Sequence, residues 1–227
     1  MNLVRPPDFE TLDSAWRWSV SAWNCLGLPL LLVVYLILAI RRPESASWAD
    51  RRRSVRIIGL IHYGLALWLI TAVGSALWAA RAMEAVAAQV VLSEVAPALP
   101  IAFDLPLGFG LRRLNRWARW AALPVWLLRT AFAAWLVWLA WRYGAAFDRT
   151  EWPSAFAGRI MPLIVLIVLL LPGTARALRK NGEEKATPGK VDVVVALAVR
   201  GMLIVLGSVV LTDAIDCLVR AVALDVS

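Results

Sequence analysis

Five residues could do chemistry where the sequence leaves little room for it. Glu94, Asp104, Arg129 and Arg200 are ionisable groups set in or beside long apolar runs, and His62, the single histidine, is their titratable companion. An ionised side chain at the centre of a bilayer costs ~2.5–3.5 kcal/mol on insertion scales, so such residues are functional candidates by default. Counted at ~1.5 Å per helical residue, Arg129 and Arg200 lie about 12 Å, Asp104 about 10 Å and His62 about 9 Å from the same face. That shared layer has two readings. In one, Asp104, Arg129 and Arg200 border a pocket for an anionic headgroup or substrate. In the other, both arginines snorkel to the surface, or pair with the acids to lock the packing.

Other chemistry has less support. One histidine cannot complete a three-histidine zinc site or a bis-histidine haem, so no metal or cofactor is expected beyond a single axial bond from His62. A lone histidine more often hydrogen-bonds across helices. Cys25 and Cys217 form no CxxC pattern, and a disulfide between them stays open. No nucleophile triad, Walker loop, HExxH or Gly-rich dinucleotide loop occurs, so catalysis is not the expected activity. Trp135 and Trp138 share a helix face, a spacing that suits packing better than a ligand cage.

The elements that must position these residues are hydrophobic. Of 227 residues 61% are hydrophobic, and the mean hydropathy is +0.69. A soluble domain has ~45–50% apolar residues. A helix needs ~20 residues to cross a hydrocarbon core of ~30 Å. Ser19–Ile40, Ile57–Ala80 and Val191–Thr212 meet that length cleanly. Ala121–Trp141 meets it despite Arg129, and a run near 157–174 does so less cleanly. The sequence therefore predicts an all-α integral membrane protein. Its single domain is a multi-pass bundle of five clear spans plus one Pro-broken or re-entrant segment over 85–110.

Arginines set the threading. The stretch LRRLNRWARW (111–120) holds Arg112, Arg113, Arg116 and Arg119 with Trp117 and Trp120, the composition of a membrane-surface anchor. If 85–110 crosses, the stretches 41–56, 112–119 and 176–190 fall on one side with 15 basic residues, against seven on the other. The positive-inside rule then makes six crossings, with both termini outside the cytoplasm. The setting expected is a bacterial inner membrane. Pro97, Pro100 and Pro106 each remove a backbone donor, so a break is expected between Pro97 and Pro106. Arg129 and Arg200 would serve the freed carbonyls, and Asp104 the counter-charge.

The net charge of +8 follows from these arginines, and no basic domain able to hold a duplex exists, so nucleic acid is not an expected partner. Anionic lipid at the cytoplasmic face and other membrane proteins are. The leading functional reading is a non-enzymatic accessory or structural subunit. The alternative is a small transporter, channel or lipid-handling protein built on the Asp/Arg layer.

Overall fold

A computed structural model describes residues 9–41, 49–82, 102–143, 151–178 and 189–225 of the chain, and these fold into helices without strands. In order they are α1 (Phe9–Ala22), a π-turn (Trp23–Gly27), α2 (Leu28–Ile40), α3 (Arg51–Ala82) and α4 (102–112). There follow α5 (Arg116–Arg142), α6 (Trp152–Ala155), a second π-turn (Phe156–Ile160), α7 (Met161–Leu170), α8 (Pro172–Ala177) and α9 (Lys190–Asp225). Five stretches are long and apolar enough to cross a membrane: Ser14–Ala39, Arg51–Thr71, Arg116–Arg142, Trp152–Leu170 and Lys190–Val219. Each includes residues that the sequence places in a flanking loop. Arg51, Arg52, Arg53 and Arg56 open α3 rather than ending a loop, and Arg116 to Trp120 are the first turns of α5.

The contacts fix which ends lie together. Arg51 meets Asp192, Gly64 lies against Leu206, and Trp68 bonds Asp213, so α3 and α9 run parallel along their length. Buried Val195, Val199, Met202, Leu206 and Val209 recur at steps of four and three on α9, the seam spacing of supercoiled helices. Trp23 reaches Ser208, so the α1–α2 helix runs antiparallel to α9. Arg119 reaches the carbonyl of Leu169, which sets α5 against α7. The starts of α3, α5 and α9 and the ends of α4 and α7 therefore share one end of the bundle, the near end. This is the grouping of loops that the arginine count predicts.

Both π-turns have one cause. Each is followed after one residue by a proline, Pro29 or Pro162. Leu28 N–H bonds back five residues to Trp23, and Met161 N–H to Phe156. In that register the next donor would be the proline, which has none. The Asn24 carbonyl is thereby freed, and the Trp152 indole donates to it at 2.7 Å.

α4 bears on one end of the stretch where a break is expected. It is continuous through Pro106, so no break occurs there. Pro97, Pro100 and Glu94 lie outside the described residues. α4 packs on α3 where Gly59 and Gly108 meet: a Cβ on Gly59 would sit 2.7 Å from the Gly108 carbonyl. It then turns into α5 through a Schellman motif. Asn115 N–H bonds the Gly110 carbonyl and Leu114 N–H that of Leu111. Leu114 holds the left-handed position, at φ 57°, where glycine is usual. Its side chain packs on the core, which explains why a leucine is held there.

That strain is measurable. Leu114→Ala and Leu114→Gly both lose the packed side chain, but only glycine relieves the left-handed backbone, worth roughly 1 kcal/mol. Thermal unfolding in detergent should find Leu114→Gly the more stable of the two. The reverse order would show that the turn is not formed.

Candidate functional site

α3, α4 and α5 each place a polar residue at mid-bundle. His62 lies 11 residues along α3, about 16 Å from the near end. Asp104 on α4 is four residues before the Gly59–Gly108 crossing, and α4 runs antiparallel to α3, which brings the carboxylate level with the imidazole. His62, Asp104 and Trp126 each have 0% exposure.

The geometry is closed. His62 Nδ1 lies 2.7 Å from Asp104 Oδ1, and Arg129 Nη2 donates to Asp104 Oδ2 at 2.6 Å. Trp126 Nε1 donates to His62 Nε2 at 3.0 Å. An indole N–H can only donate, so Nε2 must carry the lone pair and Nδ1 the proton. His62 is thus held neutral, as a donor to Asp104. The only formal charges in the node are one carboxylate and one guanidinium. Arg129 also stacks its cation 5.0 Å from the Trp126 ring centroid, and the rings of His62 and Trp126 meet edge to face at 5.3 Å.

This arrangement decides the chemistry. Asp–His pairs act as bases when Nε2 is free to take a proton from a hydroxyl or thiol. Here the indole occupies that position and offers no nucleophile. Both ring nitrogens are engaged within the node. Among the described residues no group of three His, Cys, Asp or Glu could hold a metal ion. Cys25 and Cys217 are free thiols, which closes the disulfide option.

Of the expected polar layer, Asp104, Arg129 and His62 come together. Arg200 does not join them: it interacts instead with the hydroxyl region of Tyr35 on α2. Arg129 serves Asp104 and not a freed carbonyl. Trp126 is the member that sequence reasoning missed. Its signal was available as a tryptophan three residues before Arg129 on a helix, hence on the same face.

The expected surface anchors gather at the near end. Arg112 and Arg113 are exposed on the α4–α5 turn, and Trp117 and Trp120 point outward. Arg113 lies over Phe109, with its cation 4.2 Å from the ring centroid. Arg116 and Arg119 do more than anchor, because their Nε atoms donate to the carbonyls of Leu178 and Leu169. Beside them Arg51 clamps Asp192 through Nε at 2.9 Å and Nη2 at 2.6 Å. Asp192 in turn accepts from Gly189 N–H, closing the start of α9.

No protein-family model matches the chain, and comparison with curated proteins and with solved structures finds no match.

Removing one partner of a buried ion pair costs ~3–5 kcal/mol, because the other charge is stranded. Arg129→Leu should therefore destabilise the protein far more than Arg142→Leu at the exposed end of α5. The double variant Asp104→Leu with Arg129→Leu should recover part of the loss. Thermal unfolding in detergent reads all three. Equal stability of the two single variants would mean that Arg129 is not held by Asp104.

Proposed function

We propose that the chain is a multi-pass membrane protein that works without catalysis, as an accessory or structural subunit contacting lipid and other membrane proteins. The closed Asp104–His62–Trp126–Arg129 node carries this reading. The two buried residues whose types could do acid–base work, Asp104 and His62, are bonded to each other and to Arg129 and Trp126 instead. What they accomplish is to pin α3, α4 and α5.

The surfaces support the same reading. Leu30, Val33 and Ile37 on α2, and Leu128, Phe132 and Trp135 on α5, are exposed. Apolar faces of that extent suit hydrocarbon or a partner helix and do not suit water. The arginine clusters at the near end support a cytoplasmic placement of that end, with both termini across the membrane from it. Burial of the ion pair is also less costly when its members neutralise each other, which suits a fixed structural element.

One observation favours the second reading, a small transporter, channel or lipid-handling protein. Arg129 Nη1 is buried without a hydrogen-bond partner, while its side chain keeps 20% exposure. A donor so placed could meet a passing anion.

Two measurements separate the readings. Purification of the full chain in mild detergent after crosslinking in its native membrane should recover a discrete partner protein. In reconstituted vesicles the pure protein should pass no ions or protons above the protein-free leak. A leak abolished by Asp104→Asn would favour the transporter. For the threading, a cysteine at position 116 should resist an impermeant thiol reagent added outside intact cells, and labelling there would reverse it.

A further inference from the structure

The turn from α4 into α5 carries more positive charge than packing consumes. At the near end Arg116, Arg119 and Trp120 face Ala175 and Leu178 across a pocket of about 160 Å³, open on one side. That is many times the roughly 10–15 Å³ that one water requires. Each arginine is tethered through one atom, although Arg116 is exposed and Arg119 only partly buried. Arg119 Nε donates to the Leu169 carbonyl at 2.9 Å, and Arg116 Nε to that of Leu178 at a looser 3.4 Å. Both carbonyls belong to helix ends, where no helical donor remains.

A guanidinium fastened through Nε keeps four N–H donors on its two Nη atoms. Among the described residues no carboxylate pairs with Arg116 or Arg119; the ion pairs lie elsewhere. Among the described residues two positive charges thus stand at one pocket without an anion. The remaining wall is apolar: Trp120, Ala175 and Leu178. Arg119 is also held 5.3 Å from the Trp120 ring centroid, which steadies its plane. Trp120 itself is 67% exposed, as an interfacial tryptophan would be.

We propose that this pocket binds the phosphodiester of an anionic phospholipid. Arg116 and Arg119 hold its non-bridging oxygens, and Trp120 and Leu178 cover the glycerol and the first acyl carbons. Guanidinium forks match phosphate in geometry as well as charge. Free phosphate shares the charge chemistry but has no use for the apolar wall. The proposal rests on the membrane reading above, and names the lipid contact that reading leaves general.

The test uses the full chain in a neutral detergent, titrated with phosphatidylglycerol or phosphatidylcholine and read by native mass spectrometry. Phosphatidylglycerol should be retained at least roughly tenfold better, a difference of ~1.4 kcal/mol. The double variant Arg116→Gln with Arg119→Gln should lose that preference. Trp120→Ala should weaken retention severalfold, and Arg119→Lys should keep part of it. Arg113→Gln, on the same turn but outside the pocket, should leave it unchanged. Unfolding curves without lipid show whether each variant folds; if loss of the Leu169 contact unfolds the double variant, Arg116→Gln alone and Trp120→Ala carry the test. Equal loss in Arg113→Gln would assign the effect to diffuse charge and overturn the proposal. So would equal retention of phosphatidylcholine, or displacement by inorganic phosphate at the lipid's own concentration, which would make the ligand a free anion. Release of the chain from membranes by alkaline carbonate would instead overturn the membrane reading.

Discussion

A carboxylate sealed from water must have both oxygens met by donors, and Asp104 has few ways to achieve this. Its ionised form inside a dry bundle carries a desolvation penalty of several kcal/mol unless paired and hydrogen-bonded. His62 takes one oxygen and Arg129 the other. The Trp126 indole donates to the second ring nitrogen and so selects the tautomer whose Nδ1 proton points at Asp104. Three helices must then be held in one relative placement. The glycine contact at Gly59 and Gly108 permits the approach of α3 and α4, and the Schellman turn at Leu114 sets the approach of α4 and α5. Each of these local features would be costly or idle without the node.

Indoles serve as donors in other parts of the bundle too. Trp23 reaches Ser208, Trp68 reaches Asp213, and Trp152 reaches the Asn24 carbonyl that Pro29 deprives of its donor. A tryptophan brings a large apolar body and one N–H, so it can cross an apolar gap and still end in a hydrogen bond. This matters because helices in hydrocarbon gain little from apolar burial against one another. Close packing and polar bonds do the holding instead. The polar contacts fall at three levels, with Arg51–Asp192 at the near end, the Asp104 node in the middle, and the indole bonds toward the far end.

The five long apolar helices were legible because they depend on composition. Long apolar runs and clustered arginines survive any error of a few residues in their ends. The pairing of Asp104 with Arg129 was legible from depth alone. Depth fixes a level along the helices but not an azimuth around the bundle. Arg200 shares the level and faces Tyr35. Trp126 was overlooked because tryptophans were weighed as interfacial anchors, although its place three residues before Arg129 put it on the same face. Pro106 was read as a breaker from its type. A proline removes one donor and crowds one carbonyl, and packing on α3 and α5 compensates in this case.

The node also constrains how such a bundle can assemble in a bilayer. α4, described over 102–112, packs between α3 at Gly59 and α5 at Ala118. It carries an acid and a proline, so it is a poor candidate for independent insertion. α5 carries Arg129 and is costly for the opposite reason. Joined by a three-residue turn, 113–115, the pair brings its two charges together and lowers the cost of both. In the fold the hairpin packs on α3, where His62 meets Asp104. The polar residues that look like liabilities in α4 and α5 taken singly become the reason that the two helices belong together.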